Sequence, residues 1–204
     1  MKASTARFSF VAERVCLDFA NTVDWHATDH PGERVQSVTD LLHWSEEAGV
    51  LDQACRQMLT RHADAHPDQG EAVLRRSREL REVIYRIFDA VTRDVTPDPA
   101  DLQRLNAARL EALQHQTLQP DGTGYEWGWT CAPDDLGRVW WPIAVDAATL
   151  LTSDLLAKVG QCADDRGCGW LFLDTSKAGR RRWCSMQDCG NRAKAQRYRA
   201  NTSR

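Results

Sequence analysis

The sequence predicts a mainly α-helical protein with one β-hairpin, followed by a small cysteine-rich module. Apolar residues recur at the helical period through most of the first 160 positions, which favours amphipathic helices. With 204 residues, of which 42% are hydrophobic and 27% charged, the chain can bury a substantial core and has a globular composition. Four of its seven cysteines crowd into 28 positions near the C-terminus, at Cys162, Cys168, Cys184 and Cys189.

The cysteine-rich tail also differs from the rest of the chain in its charge. Residues 161–204 contain ten Lys or Arg and four Asp or Glu, whereas residues 1–160 carry a net charge of −9. We therefore expect two domains with this boundary, and a polyanionic partner for the basic tail. No stretch reaches the ~18 apolar residues of a membrane span. Glu13 and Arg14 interrupt the apolar region that a signal peptide needs, which favours the cytoplasm.

The helical pattern of the first domain is strongest in its middle. Apolar residues from Val73 to Val91 keep the 3.6-residue period over six turns. Asp98 and Pro99 provide the N-cap and first turn of the next helix, and Gly160 closes the last one. The stretch 10–25 stays open between a strand entering a helix and a continuous helix. We expect helices at about 38–48, 50–65, 70–94, 99–114 and 143–159.

Aromatic residues predict the hairpin. In 125–129 they alternate with other residues at the period of a strand, and 138–141 is also rich in aromatic and branched side chains. We expect these two segments to pair. A core role is favoured over a ligand cage for the four tryptophans of this region, Trp127, Trp129, Trp140 and Trp141.

The clustered cysteines form two pairs that are typical of a zinc site. Cys162 and Cys168 are separated by five residues, Cys184 and Cys189 by four, and 15 residues lie between the pairs. Zinc takes four thiolates tetrahedrally, usually from two short loops. A 44-residue segment can bury little core and needs such a cross-link. We predict one structural Zn²⁺ with no open position; the alternative is four buried or free thiols.

The order of elements around the cysteines indicates a treble-clef-like module. Residues 170–173 resemble a strand, 176–179 can turn the chain back towards Trp183, and a C-terminal helix is expected from about 188 to 200. The last cysteine pair then lies at the start of that helix, where the positive end of the helix dipole stabilises thiolates.

Three segments resemble known families. GWLFLDTSKAGRRRWCSMQDCGNRAKAQRYR resembles the CGNR zinc finger, named for the tetrapeptide at 189–192. VCLDFANTVDW at 15–25 and WWPIAVDAATLLTS at 140–153 resemble the opening and final segments of the ABATE domain. The resemblance implies a stress-induced transcription regulator with a DNA-binding finger. We expect the first domain to sense a small-molecule or protein signal or to form a homodimer.

Basic residues of the tail are the candidate nucleic-acid contacts. Clustered cations gain affinity by displacing counterions from phosphates. Arg192 is the expected exception, since it follows a zinc ligand closely and could serve the module itself. Gln196 and Arg199 are the candidates for base contacts. RNA binding, a protein-interaction module with purely structural zinc, and a solvated charged terminus remain alternatives. The candidate set is Arg180, Arg181, Arg182, Arg192, Lys194, Gln196, Arg197 and Arg199.

A polar group interrupts the apolar stretch near the N-terminus. Asp18 and Asn21, with Thr22 beside them, either line a ligand or partner site or satisfy buried backbone groups. Both interpretations are kept.

Signals for catalysis are missing from the sequence. Two histidine pairs have a spacing of four, but neither stands in a zinc-protease motif, so surface histidines are expected at His26, His30, His62 and His66. There is no nucleophile with a base, no glycine-rich phosphate loop and no arrangement of paired carboxylates. We therefore expect that the protein is not an enzyme.

Overall fold

A computed structural model describes residues 8–130, 132 and 134–202 of the chain. It has the predicted fold class, a helical body with small strand pairs and a clustered four-cysteine module. The α-helices of this part are α1 (Val15–Ala20), α2 (Val38–Glu47), α3 (Gln53–Ala65), α4 (Pro67–Thr92), α5 (Pro99–Gln114), α6 (Trp141–Leu151) and α7 (Asn191–Thr202). The strands form three antiparallel pairs, β1 (Val23–Asp24) with β2 (Gly32–Glu33), β3 (Gln116–Asp121) with β4 (Gly124–Trp129), and β5 (Val159–Gln161) with β6 (Leu171–Leu173).

Helix α4 runs through the body and contacts α1, α2, α3 and α5. Its 26 residues present Ile84, Ile87 and Phe88 to the core, where all three side chains are fully buried. The predicted N-cap of α5 is present, since the side chain of Asp98 accepts a hydrogen bond from Ala100 N at the start of this helix. The predicted helices over α2 to α5 are therefore confirmed. None of the described helices is both long and apolar enough to cross a membrane.

The predicted pairing of the hairpin was wrong. Strand β4 contains the expected aromatic residues, but it pairs with the preceding segment, β3, across a turn at Gly122 and Thr123. Residues 138–141 instead end a 3-10 turn, Leu136–Val139, and begin α6. Trp140 and Trp141 are buried there. A helix that packs on the core can bury such side chains as well as a strand can. Cys131, between these segments, lies outside the described residues.

The tryptophan cluster is confirmed only in part. Trp129 lies 6.0 Å from Trp141, and Trp141 lies 6.1 Å from Trp140, measured between ring centroids. Trp127 does not join them, since 65% of its surface is exposed. The core around α6 therefore takes one tryptophan from the hairpin and two from the helix start.

Helix α6 ends earlier than expected. It stops at Leu151, and the chain then forms a short 3-10 turn, Asp154–Lys158, before β5. Gly160 lies inside β5 and does not end a helix. The apolar residues of 155–159 match a helical period, but pairing of β5 with β6 overrides that local preference. Stretch 10–25 takes neither of the two expected forms, because irregular backbone leads into the short helix α1 and strand β1 follows it.

The cysteine module is joined to the body through its hairpin. Leu171 and Leu173 of β6 belong to the main hydrophobic core of the body. Leu173 N donates to Ala12 O at 3.0 Å, and the indole N–H of Trp170 donates to Val23 O at 2.8 Å. The expected domain boundary between residues 160 and 161 falls inside β5, so a strand pair of the module extends into the preceding domain.

A glycine allows the close approach of body and module. Gly169 has φ of +70°, and a Cβ atom there would lie 2.9 Å from Ala27 N and from Tyr85 Oη. Gly179 also has a positive φ, +57°, but nothing lies within 4 Å of its virtual Cβ. The two positions share a conformational constraint, and only the first adds a steric one.

We predict that Gly169→Ala destabilises the chain more than Gly179→Ala. Both variants pay about 1–2 kcal/mol for a left-handed backbone at a non-glycine residue. Only Gly169→Ala adds overpacking, which costs roughly 1–3 kcal/mol. Denaturant unfolding of both variants measures the difference. Equal losses would contradict the tight junction between body and module.

Candidate functional site

Four cysteine sulfurs converge in the module. The Sγ atoms of Cys162, Cys168, Cys184 and Cys189 all lie within 4.8 Å of one another, and all four residues are buried. Cys184 Sγ is 3.7 Å from Cys168 Sγ and 3.6 Å from Cys189 Sγ. A tetrahedral zinc with Zn–S bonds of about 2.3 Å separates its sulfurs by about 3.8 Å. These residues therefore fit one structural zinc ion with four thiolate ligands, as predicted.

Two local structures position the ligands. Cys162 and Cys168 lie on the loop that connects β5 to β6, and Cys162 N donates to Trp170 O at 2.8 Å to close it. Cys189 lies in a π-helical turn, Met186–Gly190, that leads directly into α7. The treble-clef-like order of hairpin, loop and helix is present, but β6 pairs with β5 and not with the chain near Trp183.

Electrostatics at the cluster call for a cation. Hydrogen bonds from the thiols of Cys168 and Cys184 lower the pKa of Cys162, assisted by backbone N–H groups. Burial and the charge of the neighbouring sulfurs raise the pKa of Cys189. One thiolate is thus favoured in the bare cluster, whereas several repel one another. A divalent ion removes this repulsion and makes four thiolates compatible.

Arg192, the arginine of the CGNR tetrapeptide, supports the zinc centre. Its Nη2 lies 2.8 Å from Cys189 Sγ and 3.4 Å from an oxygen of Asp164. Its guanidinium is 5.5 Å from the ring centroid of Trp25, which Arg166 also approaches at 5.2 Å. A cation that donates to a thiolate offsets the negative charge of four such ligands. Arg192 thus serves the zinc module itself, which is the exception that we expected among the basic residues of the tail.

Arg181 requires a correction, because its side chain turns inward. It donates to Trp183 O at 3.0 Å, Val11 O at 2.8 Å and Leu173 O at 3.3 Å, and also to Cys184 O. Its guanidinium lies 4.4 Å from the ring centroid of Phe172. These contacts use four of its five N–H donors inside the chain, so Arg181 links the module to the N-terminal segment and keeps little donor capacity for phosphates.

The remaining cations stay on the surface. Arg182 lies over the ring of Trp183, 5.3 Å from its centroid. This pair borders two grooves, one of about 730 Å³ that Arg180 also lines and one of about 340 Å³ that Arg197 also lines. Gln196 donates to Asp165 at 3.0 Å beside the second groove. We call the exposed basic set Arg180, Arg182, Lys194, Arg197 and Arg199.

Asn21 is used inside the chain. Its Nδ2 donates to Leu171 O and its Oδ1 accepts from Leu171 N, both at 2.8 Å, across 150 positions of sequence. The side chain is buried, as is that of Asp18. Asp18 Oδ1 accepts from Val11 N at 2.9 Å and Ala12 N at 3.0 Å. This geometry favours the structural alternative for both residues over the ligand or partner site.

The histidines do not form a metal site. Within the described residues, the four cysteines are the one group of three or more His, Cys, Asp or Glu placed to hold an ion. His62 and His66 contact each other with ring centroids 4.6 Å apart. The side chain of His26 is largely buried, against Tyr85 and 2.9 Å from a Glu82 oxygen, so the expectation of a surface histidine was wrong there.

We predict that zinc stabilises the whole chain and not the tail alone. Metal analysis should find one zinc per chain, and Cys189→Ser should lose it. Because β6 belongs to the body core, zinc removal should lower the melting temperature by roughly 10 °C or more, at about 2–4 °C per kcal/mol. Zinc re-addition is the control. A zinc-free chain that melts as the holo-protein does would contradict the shared core.

We also predict a pH effect from Asp18. Burial raises its pKa to about 6, against hydrogen bonds from Ala12 and Val11 that lower it. The folded state then binds more protons than the unfolded state between pH ~4 and ~6, so this carboxyl's contribution to stability falls as pH rises through that window. Asp18→Asn keeps the acceptor without the charge.

As pH rises from 5 to 7.5, the free energy of unfolding of the wild type should therefore fall by about 1–1.5 kcal/mol relative to that of Asp18→Asn. Denaturant unfolding at several pH values measures this difference. Asp121→Asn, an exposed acid on the hairpin, is the control and should follow wild type. A constant difference between wild type and Asp18→Asn would rule out the raised pKa.

Comparison with known proteins agrees with this architecture. A family model named ABATE, described as "Putative stress-induced transcription regulator", matches residues 13–154. A model of the CGNR zinc finger matches residues 158–202, which include all four clustered cysteines. No curated protein matches the chain. Since the first model spans well over half of the sequence, the chain belongs to the ABATE family and carries a CGNR zinc finger at its C-terminal end.

Proposed function

We propose that this protein is a DNA-binding transcription regulator whose zinc module contacts the phosphates of a duplex. The observation that carries the proposal is the exposed basic set around the Arg182–Trp183 pair. Arg180, Arg182 and Arg197 border two adjacent grooves on one rigid module. Stress responsiveness and a cytoplasmic site of action are parts of the same proposal that rest on the family description and on composition.

The module provides the scaffold for this binding. Four thiolates and Arg192 fix the start of α7, and Arg181 fixes the turn that carries Arg180 and Arg182. Because the backbone that carries these cations is already ordered, only side-chain entropy is lost when they meet phosphates. Such contacts position a protein without selecting a sequence. In this proposal the chain binds nucleic acid and catalyses no reaction.

The acidic body limits which surface a polyanion can approach. Residues 1–160 carry −9, while the tail carries +6. Repulsion by the body directs a duplex towards the basic grooves and away from the rest of the molecule. A structured RNA meets the same charges, so it is the second candidate, and both are compared in the experiment below.

We predict that Arg182→Ala and Arg197→Ala each weaken binding to all duplex sequences and reduce the magnitude of the log–log salt slope by about 0.9. Titration of labelled duplex DNA and of structured RNA at several salt concentrations measures both quantities. Arg109→Ala, an exposed arginine on α5 of the body, is the matched control and should leave affinity and slope unchanged.

Three outcomes separate the alternatives. Tighter binding of RNA than of DNA, with the same slope changes, would move the function to RNA. Unchanged affinity and slope in both module variants would exclude nucleic acid and leave a protein-interaction module with structural zinc. An effect of Arg109→Ala equal to that of Arg182→Ala would exclude this surface as the specific contact.

A further inference from the structure

The β3–β4 hairpin has one face that is apolar and open to solvent. Its register places Leu118 opposite Trp127 and Pro120 opposite Tyr125. Residues directly opposite each other in an antiparallel pair point to the same face of the sheet. Leu118 is 56% exposed, Trp127 65% and Tyr125 75%. We call these four residues the hairpin stripe.

The stripe continues a row that begins in the core. Trp129 lies two positions from Trp127 on the same face, and its ring centroid is 6.0 Å from that of Trp141 in the body. The row is thus partly buried at the base of the hairpin and exposed towards the turn. A two-stranded hairpin is marginally stable in water. An aromatic row that runs beyond the body gains stability only when something covers it.

The opposite face of the hairpin is polar and acidic. It carries Thr117, Gln119, Asp121 and Glu126, and Gln119 approaches Glu126. The stripe itself contains no charged residue. Around a two-fold axis a surface meets its own copy, so like charges would face each other. Of the two faces, only the stripe can meet a second copy without this repulsion.

We propose that the hairpin stripe is a dimer interface, packed face to face against the same stripe of a second copy of this chain. Large aromatic side chains each offer about 150–250 Å². At the exposures above, the stripe offers on the order of 400 Å² per chain, or about 800 Å² in a symmetric pair, before backbone is added. Specific interfaces begin at about 1,000–1,200 Å², so the dimer is weak and depends on concentration.

Aromatic pairing supports self-association over a charged partner. Tyr125 and Trp127 of one copy meet those of the other, and aromatic pairs contribute attraction beyond the area they bury. The stripe offers no ionic group to select a charged peptide or a phosphate. This dimer is also independent of nucleic acid, since no residue of the exposed basic set lies on the hairpin.

Sedimentation velocity of the full zinc-bound chain, without nucleic acid, tests the proposal from about 1 to 200 μM. Wild type should shift from monomer to dimer over this range. Trp127→Glu places like charges face to face across the two-fold axis and should raise the dissociation constant of the dimer at least tenfold. Leu118→Glu, on the other strand of the stripe, should do the same. Glu126→Gln on the opposite face should leave dimerisation unchanged or slightly stronger.

Each variant has an exposed side chain, so circular dichroism and thermal melting should confirm an unchanged fold. A wild-type chain that stays monomeric at 200 μM would overturn the proposal. A dimer that survives both Trp127→Glu and Leu118→Glu would also overturn it, because the interface would then lie elsewhere. Loss of the dimer in Glu126→Gln alone would assign the contact to the polar face.

Discussion

Strand β6 belongs to two hydrophobic cores at once, and the rest of the architecture follows from that. Leu171 and Leu173 pack in the body core, while Phe172 between them packs beside the cysteine cluster. Successive side chains of a strand point to opposite faces, so three residues suffice for both contacts. The amide of Asn21 binds both backbone groups of Leu171 and fixes this strand against α1. The module is consequently held at a defined position, not tethered by a flexible linker.

A second connection involves the N-terminal segment, and it accounts for the buried carboxylate of Asp18 and the half-buried guanidinium of Arg181. Asp18 accepts from Val11 N and Ala12 N, while Arg181 donates to Val11 O. Backbone groups buried without such partners would cost about 1–3 kcal/mol each. These hydrogen bonds leave the carboxylate of Asp18 desolvated, and its pKa is raised for that reason. Three consecutive arginines can thus serve different purposes, because Arg180 and Arg182 point to solvent and Arg181 points inward.

The sequence carried enough local information for the helices and the metal site. Asp98 followed by Pro99 marks a helix start whatever the tertiary context, and two close cysteine pairs define a chelating set. The partner of Asn21 has no such signal, since it lies 150 positions away and presents only its backbone. The same lack of a local signal explains why the predicted pairing of the hairpin was wrong. Residues 138–141 are apolar enough for a strand or a helix, and only burial against the body decides between them.

Several cations of the module are engaged by groups of the chain itself. Arg166 and Arg192 both pair with Asp164, and Arg181 donates to carbonyls, so these three cations are engaged within the chain, although Arg166 and Arg192 remain exposed. Much of the positive charge that remains exposed surrounds Trp183 and α7. Because β6 fixes the module against an acidic body, this basic surface has one orientation relative to the negative one. The attachment that stabilises the zinc centre therefore also fixes where the positive surface lies relative to the acidic body.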